Sequence, residues 1–170
     1  MRRVSLILLA LTLGLMGCNA PLPTASGPTQ SDFNFIFRYG VGAKNELNTF
    51  SGKYTRDMIQ DPSITVNLSL SKEELDRIYQ KMIEIDFFNY PNEFSISVPP
   101  GELTTAVTPY NSYYFKVEHD SRIKEVRWDA EIINKNDKAD KLRELIQLIT
   151  DIIQSKEEYK KLPAPTGGYL

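Results

Sequence analysis

Few residues in this chain are of a type and spacing that could do chemistry. His119 is the only histidine and Cys18 the only cysteine. One imidazole can act as a general base or as one ligand, but it cannot build a multi-histidine metal site. One thiol excludes an intrachain disulfide and any cysteine-rich zinc site. His119 falls in an expected hairpin turn beside Asp120, without the converging nucleophile and acid that a triad needs, and reads as a solvated turn histidine. Two carboxylate pairs are candidates for a shared site, Asp57 with Asp61 and Asp129 with Glu131. On a strand, Asp129 and Glu131 would share a face, yet no Asp-x-Asp-x-Asp-Gly loop is present to complete a calcium site. Gly40-Val41-Gly42-Ala43-Lys44-Asn45 is glycine-rich, but it lacks the four-residue gap and the Gly-Lys-Ser/Thr ending of a phosphate loop, so it reads as a turn ending a strand. Asn67-Leu68-Ser69 fits the N-glycosylation pattern, a short motif that assigns no chemistry by itself.

The aromatics are the surplus. All eighteen Phe, Tyr and Trp residues lie after Cys18. Phe88, Tyr90, Tyr110, Tyr113 and Tyr114 flank one long loop, and alternating positions cannot all point inward. Tyr and Trp suit interfaces because one end is apolar and the other polar. These five are the expected partner surface, beside residues 87–114.

Composition sets the frame. The 170 residues are 41% hydrophobic and 25% charged, which suits one globular domain. A formal net charge of -2 gives no basic bias toward nucleic acid. No cofactor is implied.

The N-terminus carries the most specific signal. Met1-Arg2-Arg3 is a short positive segment, and Val4 to Met16 is an uncharged, mainly apolar run of 13 residues. A bilayer span needs about 20 apolar residues, so the run fits the core of a signal peptide. It ends in Leu15-Met16-Gly17-Cys18. This segment resembles the lipobox of bacterial lipoproteins. The resemblance implies cleavage before Cys18, an S-diacylglycerol and an N-acyl group on Cys18, and residence on the extracytoplasmic side of the bacterial cell membrane. Two or more acyl chains anchor stably where one is marginal. Loss of residues 1–17 removes two basic residues, so the formal charge moves from -2 to -4, and attachment rests on lipid rather than on a polybasic patch.

Residues 18–31 follow as the lipidated cysteine and a Pro/Ser-rich tether, which reaches about 45 Å at most. A single domain is expected over 32–161. Phe33, Phe35, Phe37 and Tyr39 alternate with Asn34, Ile36 and Arg38, which marks a strand with one buried face. Further strands are expected at Phe50–Ile59, at Ile64–Leu70 after an Asp61-Pro62 turn, and at Tyr113–Glu118 and Ile123–Trp128 as a hairpin. Ser71 with Glu74 forms a capping box for a helix carrying Leu75, Ile78, Tyr79, Met82 and Ile85. A second helix begins at Asp137 and carries Leu142, Leu145, Ile146, Ile149, Ile152 and Ile153. Residues 92–111 read as a long loop with an extended piece at Phe94–Val98, and 162–170 as an extended tail. The order β-β-β-α-β-β-α predicts an α+β two-layer sandwich: a mostly antiparallel sheet of about five strands, with two amphipathic helices on one face.

From Phe33 to about Tyr159 the chain resembles an uncharacterised bacterial lipoprotein family with a domain of unknown function. The residues that carry this are Phe37-Arg38-Tyr39-Gly40, Leu70-Ser71 with Glu74-Leu75, Ile85-Asp86-Phe87-Phe88, Tyr114–Val117 and Val126–Trp128. The resemblance implies a fold and no catalytic residues. The expectation is a lipid-anchored, non-catalytic binding or protein-interaction module. Its partners would be the membrane, through Cys18, and an envelope protein or cell-wall ligand. A cell-envelope hydrolase working through carboxylates is the alternative, and an assembly subunit that adds a strand at an open sheet edge is a third reading.

Overall fold

A computed structural model describes residues 32–169; the leader, Cys18 and the tether lie outside the described residues. The Phe-rich segment forms β1 (Asn34–Tyr39), at the centre of the sheet. It is followed by β2 (Asn45–Asn48), β3 (Lys53–Met58) and β4 (Asp61–Asn67), each antiparallel to the one before. Then come α1 (Lys72–Glu84), the two-residue β5 (Glu93–Phe94), β6 (Ser112–His119), β7 (Arg122–Asp129), α2 (Asp137–Ser155) and α3 (Glu157–Lys160). The sheet order is β4-β3-β2-β1-β6-β7-β5, with only β5 parallel to its neighbour. The α+β class and the mostly antiparallel sheet stand, but among the described residues there are seven strands where about five were expected and three α-helices where two were.

The differences have local causes. The segment Asn45-Glu46-Leu47-Asn48 places only Leu47 in the core, so β2 has no apolar alternation to read. β5 is two residues long, and α3 is one turn. Phe50, expected inside a strand, sits in the β2–β3 turn and is exposed. Asp61-Pro62 opens β4 instead of turning, and the reversal falls at Ile59 and Gln60, with Ile59 at φ 66°. Pro62 is tolerated there because β4 is an edge strand.

One face of the sheet is apolar because its strands alternate. Phe35, Phe37, Leu47, Tyr54, Phe115, Val117, Val126 and Trp128 are all buried there. They meet Ile78 and Met82 of α1 and Leu142, Leu145, Ile149 and Ile153 of α2 in one continuous core. Phe37 stacks on Phe115 across the β1–β6 pair, with centroids 4.8 Å apart. Lys81 binds Glu144 at 2.7 Å and Lys156 binds Glu74 at 2.5 Å, which ties the two long helices to each other.

The capping box forms as expected. Ser71 Oγ accepts from the Glu74 amide at 3.3 Å, and Glu74 Oε2 accepts from the Ser71 amide at 2.7 Å. Ser71→Ala should therefore lower stability by about 1 kcal/mol, read as a shift of the urea midpoint with unchanged slope. No shift would mean that Lys156 alone holds this end of α1.

Two segments expected to be irregular are fixed to the fold. The loop after β5 is pinned where Val107 N donates to Glu131 O at 3.0 Å and Ile133 N to Thr105 O at 2.9 Å. Asn134 adds bonds to Thr105 N and to Leu103 O, both 2.8 Å. The C-terminal tail turns back over the end of β3: Thr166 Oγ1 donates to Asp61 Oδ2 at 2.6 Å, and Tyr169 Oη donates to Asp57 Oδ2.

Candidate functional site

The helices cover one face of the sheet. The opposite face carries the out-pointing residues of every strand, and their register places seven of them in one row. Thr65, Thr55, Glu46, Arg38, Tyr114, Arg127 and Glu93 are successive cross-strand neighbours from β4 to β5. Directly opposed residues on one face are close enough to bond, and here they do. Thr55 and Thr65 share a hydroxyl bond of 2.8 Å. Arg38 Nε donates to Glu46 at 2.7 Å. Arg127 reaches Glu93 at 3.0 Å and Glu125 at 3.5 Å. Both guanidinium carbons lie over the Tyr114 ring, at 5.6 Å for Arg38 and 5.2 Å for Arg127. Each stack of this kind contributes about 0.5–1 kcal/mol at an exposed site; its larger effect is to hold both side chains extended. Burial, with the Glu125 carboxylate nearby, raises the Tyr114 phenol above its ordinary pKa.

Beside this row lies a cleft of about 810 Å³. Its floor is Ile36, Arg38, Tyr114, Lys116 and Arg127. One wall is the Gly42-Ala43 turn, and the other is made by Glu93 to Ile96 with Glu131 and Ile132. The turn needs glycine at its start: Gly40 has φ +93°, and a Cβ there would fall 2.7 Å from Asn45 Nδ2. The Gly40 carbonyl also accepts from Ser112 N at 2.9 Å, which fixes the turn against β6. The glycine-rich stretch is thus a wall-building turn. At the far end of the cleft Ser112 Oγ donates to Asp129 Oδ1 at 2.5 Å.

The five aromatics expected to form one surface are distributed over different parts of the fold. Tyr90 is buried and donates to Lys138 O at 2.8 Å. Phe88 is half-buried in the helix layer, edge-on to Phe87. Tyr113 packs on Trp128 with centroids 5.4 Å apart and also lines the cleft. Tyr110 is half-buried at the end of the loop. Tyr114 alone stands on the open face. Cys18 lies outside the described residues.

His119 does not lie in solvent. Phe115, Val117 and His119 share the inward phase of β6, so the imidazole stacks on Tyr79 at 4.6 Å and its side chain is 16% exposed. Asp57 is the one buried charged residue among the described residues. Its carboxylate accepts from Ile59 N and from Tyr169, whereas Asp61 is exposed and holds Thr166. Asp129 and Glu131 both line the cleft, although β7 ends at Asp129 and Glu131 lies beyond it. Among the described residues no three His, Cys, Asp or Glu side chains are grouped to hold a metal ion, and no helix is long and apolar enough to cross a membrane.

Sequence reasoning missed Arg38, Lys116 and Arg127. Each occupies an outward position on a strand, where a charged residue is ordinary. Only the register, which pairs Arg38 with Tyr114 and Tyr114 with Arg127, makes them a unit. Compared with known protein families and with curated proteins, the chain matches none.

Proposed function

We propose that this chain is a lipid-anchored extracytoplasmic lipoprotein whose folded part is a non-catalytic binding module. The ligand seat is the cleft on the open sheet face. The anchoring rests on the leader and on Cys18 at the end of Leu15-Met16-Gly17. The observation that carries the binding reading is the braced row Arg38–Tyr114–Arg127–Glu93, held at one end by Glu46, which forms the cleft floor and rim. Its side chains are held by one another, so little conformational entropy remains to be lost when a ligand arrives. Two of the three acids that line the cleft are engaged, Asp129 by Ser112 and Glu93 by Arg127, which leaves Glu131 alone and no free pair for acid–base work.

Two measurements test this reading. Cys18→Ala should move the protein from the membrane pellet to the soluble fraction of the envelope; retention in the pellet would remove the lipid anchor. A photo-crosslinking side chain at Ile132, on the cleft rim, should capture an envelope component in intact cells. The same group at Gln80, on the helix layer, should not. Equal capture from both positions, or none from Ile132, would overturn the cleft as the seat.

A further inference from the structure

We infer that the cleft binds the oxyanion end of its ligand, a carboxylate or a phosphate, through Arg38 and Lys116. This rests on the binding-module reading and assigns the chemistry of its ligand.

The argument starts from which donors are already engaged. Arg127 directs one terminal nitrogen to Glu93 and the other toward Glu125. It is a buttress for Tyr114. Arg38 is held differently. Its Nε is bonded to Glu46 and its guanidinium carbon lies over Tyr114, but its two terminal nitrogens donate to no described residue. Those two nitrogens carry four of the five N–H donors of the planar fork that matches a carboxylate or phosphate. Lys116 is half-buried on the same face; Glu125 lies opposite it in register but turns its carboxylate to Arg127, and the Lys116 ammonium has no hydrogen bond or ion pair with any described residue. Arg38 pairs with Tyr114 and Ile36 with Lys116, so Arg38 and Lys116 are diagonal neighbours on adjacent strands. Diagonal positions lie about 7–8 Å apart, within reach of two long side chains closing on one group. A half-buried cation without a partner pays a desolvation cost that a bound anion would offset.

The rest of the cleft limits what else the ligand carries. Asp129 and Glu131 line its other end, and the Glu131 carboxylate has no partner among the described residues. A second anionic group there would be repelled, whereas an amine, amide or hydroxyl would find an acceptor. The ligand is therefore anionic at one end and rich in hydrogen-bond donors at the other, as a short peptide with a free C-terminus is.

The test uses the full chain in a non-ionic detergent and three probes: trialanine, trialanine amide and inorganic phosphate, titrated by calorimetry. Trialanine should bind and its amide should not. Arg38→Gln and Lys116→Gln should each weaken trialanine about tenfold or more. Lys53→Gln, two strands away on the same face, should not. Lys116→Gln should keep the parent melting temperature, and Arg38→Gln should lower it only by the few degrees that its Tyr114 stack and Glu46 bond account for, which separates lost contact from lost fold. Phosphate binding without trialanine, lost in the same variants, would keep the oxyanion and reassign its source. Equal binding of trialanine and its amide, or no binding of any probe, would overturn the inference. Capture from Ile132 in cells is independent of these results, so the module reading can survive the failure of this one.

Discussion

Phe37→Ala should destabilise the folded domain by about 3–5 kcal/mol, the range for a fully buried aromatic truncated to alanine. Phe37 is completely buried. It is paired in register with Leu47 on one side and Phe115 on the other. Its ring stacks on Phe115 and, at 5.0 Å, on Tyr39. Removing it opens a void at the strand pair that joins the two parts of the sheet, and close-packed neighbours relax only partly into such a void. Domains of this size are stable by about 5–15 kcal/mol, so the variant would lose a large share of its margin. Phe37→Leu, which keeps more volume, should cost much less. Urea unfolding of both variants checks the pair. A loss under about 1 kcal/mol for Phe37→Ala would show that this position is not the centre of the core.

The second large effect is alkaline. The Tyr39 and Tyr54 hydroxyls share a bond of 2.7 Å at the buried end of β1 and β3. Burial pushes Tyr39 up to about 12. Burial, followed by the charge that Tyr39 would carry, pushes Tyr54 higher still. In the unfolded chain both titrate near pH 10. Above that pH the unfolded state loses protons that the folded state keeps. The stability these groups contribute is therefore fully present below about pH 10 and is lost as the pH rises through the folded values. Each phenol is only half ionised in the unfolded chain at about pH 10 and almost fully at pH 11, so each costs about 1 kcal/mol over that unit and the pair should remove about 2 kcal/mol between pH 10 and pH 11. Tyr90, Tyr113 and Tyr169, also raised mainly by burial, act in the same direction. The double variant Tyr39→Phe/Tyr54→Phe removes donor and acceptor together and should be nearly neutral at pH 8. It should also lose less stability than the parent at high pH. Urea midpoints for both proteins at the two pH values decide this; equal alkaline losses would remove the pair as the cause.

The parts of the fold that were legible in the sequence were those with long periodic signals. The Phe33–Tyr39 alternation, the Ser71/Glu74 cap and the apolar stripe from Leu142 to Ile153 each mark an element that exists with nearly the expected bounds. Elements too short to carry a period were not legible. β2 buries one residue, β5 spans two, and both are strands only because a neighbour supplies hydrogen bonds. The site was hidden for a related reason. Arg38, Tyr114 and Arg127 are widely separated in sequence, and a one-residue slip in either pairing would turn one of them to the other face. Their meeting is a property of register. Composition drew the eye to the aromatics around the long loop, but Tyr90 and Phe88 serve the helix layer, and only Tyr114 reaches the row.

The position of β1 also bears on how the chain assembles. β1 to β4 form a consecutive meander whose pairings are all local. The free edge of β1, however, is completed by β6, which follows only after α1, β5 and the long loop. Contacts this distant in sequence form slowly, because a long segment must be closed before any contact rewards it. Until β6 docks, the meander presents an unpaired edge on a strand containing Phe35 and Phe37, with Phe115 and Val117 absent from beside them. An edge of that composition is a template for pairing with another chain. The species most prone to aggregate is therefore the half-built sheet, and the completed domain escapes that hazard by placing its most apolar strand in the middle.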